Sequence, residues 1–306
     1  MPARRSGMSL GQRLRPLLLG LACLLALPAL ARELLLVSGE QGAAVQAFSQ
    51  ALAERRPADR IRLESPDTLP AASTLSPETH LLLLGSVALN WRLASEQGPP
   101  ALTLLVSRVE AQQLLDDRRP DGISLLWSDP PPSRQLQLAM QLHPRPQRIG
   151  VLFSPASAFL LKELAEHARQ LGVELLPQEQ DRSDDPRPLR ELLDNSDLLL
   201  GLDDKLLYNP RTIKGILLSA YAENRALIGP TVAFVRAGSL ASTYSDQNDW
   251  LDTLDPLLDQ PPSQWPSSLY PERFKVQSNR QVARSLGIEL QDDASLAQRL
   301  AEGESP

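Results

Sequence analysis

The chain has 306 residues, 31 Lys and Arg against 37 Asp and Glu, and a formal net charge of −6. Its first 31 residues hold four arginines and no acid, so the chain beyond Ala31 carries −10. That charge repels nucleic acid and anionic membranes, and with Cys23 as the single cysteine the rest of the chain has no disulfide, thiol chemistry or cysteine-ligated metal.

In chain order, the first feature is the amino end. Arg4, Arg5, Arg13 and Arg15 precede an apolar run over 16–27, and Ala29-Leu30-Ala31 follows Pro28. A basic stretch, a short apolar run and A-x-A form the pattern of a secretory signal peptide, cut after Ala31, which predicts export to the periplasm. An uncleaved anchor is the second reading, although a bilayer span wants about 20 apolar residues. Lipid attachment at Cys23 is the third. Gly20-Leu21-Ala22-Cys23 is a poor box for it, because a branched apolar residue is wanted where Gly20 stands.

After Ala31, apolar runs of strand length alternate with amphipathic stretches of helix length. The strand candidates are 33–38, 61–64, 80–84, 101–106 and 122–127, then 148–153, 173–177, 198–202, 226–228, 241–244 and 274–276. Most are Leu, Ile and Val at every position, as in parallel strands covered by helices on both faces. Helices are expected over 43–55, 158–171 and 210–224; in the last, Ile213, Ile216, Leu217, Ala220 and Tyr221 share one face. About 275 residues suffice for two domains. The alternation breaks at His143-Pro144-Arg145-Pro146, where two prolines favour an extended crossing. A proline-rich stretch over 256–271 is a candidate for a return crossing.

Enzyme signatures are absent: no G-x-S-x-G, no phosphate-binding G-x-x-x-x-G-K, no G-x-G-x-x-G and no H-E-x-x-H. His80, His143 and His167 are scattered and read as surface or capping residues. Asp203-Asp204 ends an apolar strand, where open α/β sheets place ligand groups; it reads equally as a pair of helix caps. Small polar residues recur where strands turn into helices, at Ser38-Gly39-Glu40, Gly85-Ser86-Val87 and Ser154-Pro155-Ala156-Ser157. Free N–H groups at such turns suit a carboxylate or phosphate. Trp91 and Trp127 fall near the same edge of the first half, with packing as their plainer role. These features point to binding and release of a small ligand, without metal, cofactor or catalysis.

Several segments, in order, resemble one family. They are His80 to Val87; Gln135 to Leu142; Arg148-Ile149-Gly150-Val151-Leu152-Phe153-Ser154-Pro155; Phe234 to Ala241; and Phe274-Lys275-Val276 through Ala283-Arg284-Ser285-Leu286-Gly287-Ile288. Together the chain resembles the ABC-transporter substrate-binding proteins related to tryptophan- and tyrosine-binding lipoproteins. The resemblance implies a type I periplasmic-binding-protein fold: two Rossmann-like α/β lobes with parallel sheets, joined by a hinge. The lobes would be 32–145, completed by part of 245–270, and 146–244, completed by 271–306. It implies a cleft lined by Ser86 and Val87 on one side and Ser154, Ser157, Asp204 and Thr231 on the other; Ser38 joins them from its turn. Family members that hold an α-amino group carry an Asp in the loop matched by Gly229-Pro230-Thr231-Val232, and this chain has none. The first lobe also lacks the longer ligand-side loop after Leu105-Val106-Ser107-Arg108. The implied role is capture of a small solute for an inner-membrane ABC permease. A permease-independent sensing or accessory protein is the alternative, and a secreted enzyme resting on Asp203-Asp204 is the third reading.

Overall fold

The computed structural model describes residues 32–116, 121–143, 146–182 and 184–304. The signal-peptide expectation, with Cys23, falls outside them, as do Pro144 and Arg145. The first half of the chain forms β1 (Glu33–Ser38), α1 (Ala43–Arg55), β2 (Arg60–Glu64), β3 (His80–Leu84), α2 (Ser86–Leu93), β4 (Ala101–Val106), α3 (Arg108–Leu115) and β5 (Ile123–Trp127). The second half forms α4 (Pro132–Leu142), β6 (Arg148–Phe153), α5 (Leu161–Leu171), β7 (Glu174–Glu179), α6 (Arg187–Asn195), β8 (Leu198–Leu200), α7 (Ile213–Ala222), β9 (Ala226–Ile228), α8 (Val232–Ala237) and β10 (Ala241–Tyr244). The chain ends with α9 (Gln247–Asp259), β11 (Ser268–Leu269), β12 (Lys275–Ser278), α10 (Arg280–Ser285) and α11 (Asp293–Glu304).

The strands make two six-stranded sheets, ordered β11-β5-β4-β3-β1-β2 and β12-β10-β9-β8-β6-β7. All ladders are parallel except β10 with β12, which pair antiparallel from Ala241↔Ser278 to Tyr244↔Lys275. Side chains alternate across each pleat into two apolar layers. In the first sheet, Leu34, Leu36, Leu82 and Leu102 pack on one face, with Trp250, Leu251 and Leu254 of α9. Leu35, Leu81 and Leu83 pack on the other, with Ala88 and Leu89 of α2. The outermost strands are guarded differently. Arg60, Arg62 and Glu64 line β2, and Pro177 interrupts β7; charge and proline blunt a free edge against further pairing.

The passage between the two cores lies upstream of the expected one. Leu136, Leu138, Ala139 and Leu142 of α4 are buried with Ile149, Val151, Leu198 and Leu200 of the second sheet. The chain therefore leaves the first sheet at 128–131, ahead of α4. Pro132 opens that helix at a position where a missing N–H costs nothing. Gln135 of α4 is fully buried. It donates to the Gly229 carbonyl at 2.8 Å and the Ser242 hydroxyl at 2.9 Å, and it accepts from the N–H and hydroxyl of Thr243, each at 3.0 Å. Nearby, Arg134 grips Glu304 of α11 through two bonds of 2.6 and 2.8 Å and lies 3.7 Å over the Phe274 ring. The two-residue β11 has no counterpart in the sequence reading. It is too short for a hydrophobic period, and only its parallel pairing with Leu125 and Leu126 defines it.

Candidate functional site: the interlobe cleft

Ligands of open α/β sheets bind beyond the carboxyl ends of the strands. In the first lobe these ends carry the turns after β1, β3, β4 and β5. The Ser38 hydroxyl accepts from the Glu40 N–H at 3.1 Å and is buried, so it holds its own turn. Gly39 gives close approach: a Cβ there would lie 2.8 Å from Cγ1 of Val87. Ser86 is half-buried at the start of α2, while Val87 is 60% exposed.

The end of β4 is distorted. Its register against β5 shifts between Thr103 and Val106, and Leu105 takes φ 59° with 49% of its surface exposed. A bulky non-glycine residue in the left-handed region costs about 1–2 kcal/mol, and such bulges re-aim side chains beside binding sites. Beyond it, Ser107 caps α3 in a reciprocal box with Glu110: its hydroxyl accepts the Glu110 N–H at 3.3 Å, and its N–H donates to the Glu110 carboxylate at 3.1 Å. That helix end is already satisfied by its own side chains.

In the second lobe, Ser154, Ser157 and Asp204 come together, but as an internal clasp. Asp204 is 1% exposed. One of its oxygens accepts both serine hydroxyls at 2.6 Å and the Ser154 N–H at 3.2 Å; the other accepts the Leu206 N–H at 3.0 Å. These three expected ligand contacts thus tie β6 to the turn after β8. A short polar side chain that ends a buried strand meets the backbone of the neighbouring turn before it meets solvent. Thr231 is half-buried ahead of α8 and makes no capping bond there.

The cleft is bridged by polar contacts that the sequence reading did not contain. Arg108 pairs with Glu163 of α5 at 2.7 Å and lies 5.7 Å over the Phe159 ring. Lys205 pairs with Glu110. Asp203 lies near Ser107, and burial, with the nearby Glu110 charge, raises its pKa. Asp129, at the crossing, accepts the Arg108 N–H at 2.8 Å. Burial pushes its pKa up to about 7; the Arg108 N–H works against the rise and the Asp203 charge adds to it. Val109 of α3 joins the second lobe's apolar core, so apolar contact accompanies these bonds.

Phe159, after β6, and Leu206, after β8, are 38% and 44% exposed. With Val87 and Leu105 they make four of the five large exposed apolar side chains among the described residues, and all four lie at or after the carboxyl end of a strand. Isolated exposed leucines carry little meaning, so only their shared place at strand ends marks them.

No protein-family model matches this chain, and no curated protein does. Solved structures match over nearly their whole length. A substrate-binding protein with adhesive properties from Clostridium difficile, in its ligand-free, open form, aligns with a TM-score of 0.66 at 15% identity, over 86% of this chain and 97% of its own. A conserved domain protein from Vibrio cholerae aligns at 0.58 and 18%, over 88% and 98%. An ABC domain from Streptococcus pneumonia in complex with L-Trp aligns at 0.57 and 15%, over 88% and 98%. The fold is that of the type I periplasmic binding proteins. In a type I fold the two sets of carboxyl strand ends oppose each other across one cleft.

Proposed function

We propose that this chain is an exported solute-binding protein that closes two lobes on a small ligand and delivers it to an inner-membrane ABC permease. The two apolar cores are its lobes, with crossings at 128–131, 244–247 and 269–275. The observation that carries the reading is that Val87, Leu105, Phe159 and Leu206 stand exposed at carboxyl strand ends of both sheets, the edge where open α/β sheets bind ligands. Exposed apolar surface at a strained, irregular strand end is costly in a folded protein, and a ligand's apolar body relieves it. Full burial of a side chain of this size is worth about 1.5–3 kcal/mol, and these four, already about half covered, gain a part of that each against the cost of association.

The polar groups restrict the ligand further. An α-ammonium group needs a free carboxylate. Asp203 lies near Ser107 with its pKa raised, Glu110 is engaged by Lys205 and Asp204 by the serine clasp. The loop Gly229-Pro230-Thr231-Val232 offers none. The solute is therefore apolar in its body, and the Glu40 carboxylate, exposed at the turn after β1 and in no ion pair among the described residues, is the group left to meet a cationic head.

A thermal-shift screen of residues 32–306 tests this, with amino acids, nucleosides, sugars, short peptides and apolar carboxylic acids as probes. A compound at 100 times its Kd adds about 2.7 kcal/mol. Stabilisation by a compound with an apolar body is expected. Stabilisation by polar amino acids alone would overturn the ligand class, and no stabilisation by any compound would favour a protein partner in place of a solute.

A further inference from the structure

Beside the cleft, a groove of about 810 Å³ runs down the flank of the first lobe, between α3, β5 and the segment leading into β11. Trp127, Trp265 and Tyr270 line it from the first lobe, and Phe159 closes its upper end from the second. The chain has only four tryptophans, and this one groove takes two of them. The Trp127 side chain has no hydrogen-bond partner among the described residues. Trp265 is itself a buried core residue with its N–H on the Leu257 carbonyl at 2.7 Å, so Trp127 and Tyr270 offer the more accessible aromatic surface, and Ser263, Ser267 and Ser268 share the lining. Among the described residues the charges are largely spent: Arg108 is paired with Glu163 and bonded to the Tyr270 hydroxyl at 3.3 Å. Asp121, at the other end, is exposed to solvent.

We propose that this groove is a binding site for a neutral saccharide, separate from the cleft ligand. Its volume falls within the range of small-molecule sites. A charged ligand would have to break the Arg108–Glu163 pair or face Asp121 alone. A wholly apolar ligand would bury the serine hydroxyls and the Trp127 N–H without partners, which costs free energy for each group. A sugar ring meets both demands. Its C–H face stacks on an aromatic plane and its hydroxyl rim exchanges hydrogen bonds with the serine hydroxyls. The site shares Arg108, Phe159 and Glu163 with the bridged side of the cleft, and the rest of its lining belongs to the first lobe.

The test is a tryptophan-fluorescence titration of the exported chain with maltotriose, cellotriose and chitotriose, since Trp127 and Trp265 report on the groove directly. A saturable change with at least one trisaccharide is expected. Trp127→Ala, which removes an aromatic platform, should weaken it by about tenfold or more. Ser268→Arg, which fills the groove from an exposed position, should weaken it similarly and decides the matter if the tryptophan variant does not fold. Leu206→Asp, which alters the cleft and lies outside the groove, should leave saccharide binding in place. The proposal fails if no trisaccharide changes the emission, or if an uncharged flat aromatic such as 2-naphthol saturates the signal where the sugars do not. It also fails if Leu206→Asp abolishes binding while both groove variants keep it.

Discussion

Raising the pH through 7 should weaken the contacts between the lobes, and Asp129→Asn should remove most of that response. Asp129 is buried at the crossing between lobes, with the Arg108 N–H on one oxygen and the charges of Asp203 and Arg108 around it. Its folded pKa of about 7 lies above an ordinary carboxyl's. The folded state thus holds a proton between pH ~4 and ~7 that the unfolded state releases. Where the native state binds more protons, stability falls as pH rises. The contribution is intact below the unfolded pKa and is lost by the time the pH has passed through the folded one. A rise of about 3 units corresponds to about 4 kcal/mol at most. Opening the lobes re-solvates the carboxylate, so this energy favours the open form before it favours unfolding. The Asn amide oxygen still accepts the Arg108 N–H but cannot ionise. Thermal melts of wild type and variant between pH 5.5 and 8 should diverge as the pH rises, with the variant more stable by roughly 2–4 °C for each kcal/mol. His80 and His143, whose pKa values burial lowers, drop out because both proteins contain them. Parallel pH profiles for the two proteins would refute the reasoning.

Three further outcomes are expected. Asp204→Ala strips four hydrogen bonds from the clasp and should cost about 3 kcal/mol in urea unfolding while leaving the Kd of the cleft ligand nearly unchanged; lost binding with an unaltered urea midpoint would make Asp204 a ligand contact after all. Leu105→Gly relieves the left-handed backbone and should gain about 1 kcal/mol of stability, yet weaken ligand binding by removing an apolar contact, as isothermal titration would record. Glu110→Gln with Glu163→Gln breaks both ion pairs across the cleft. Small-angle scattering should then show a larger radius of gyration without ligand, and an unchanged radius would mean that these pairs do not hold the lobes together.

Much of the architecture is legible in the linear sequence. Strands such as β1, β3 and β6 are runs of Leu, Ile and Val flanked by amphipathic stretches, and that pattern allows little besides parallel sheets covered on both faces. The turns after β1, β3 and β6 are likewise marked by Ser and Gly. What those residues do is not legible. Ser154, Ser157 and Asp204 have the composition of a ligand site, yet they saturate one another, because bonding geometry depends on how β6 and β8 stand side by side. The position of the first crossing is similar. Three prolines at 130–132 and two at 144 and 146 look alike as breaks, and only the packing of α4 on the second core tells them apart.

The sequence by itself determined the fold class, the sites of the strand-to-helix turns and the acidic charge beyond residue 31, because period and composition act locally. Tertiary structure alone decided the rest. Val87, Leu105, Phe159 and Leu206 are ordinary apolar residues up to 119 positions apart in the chain, and nothing local marks them. Asp129 and Asp203 become a titrating pair, and Trp127 and Trp265 a shared groove, only when two sheets bring distant turns within reach of each other. Exposure, desolvation and charge proximity are properties of that assembled surface, and no window of sequence contains them.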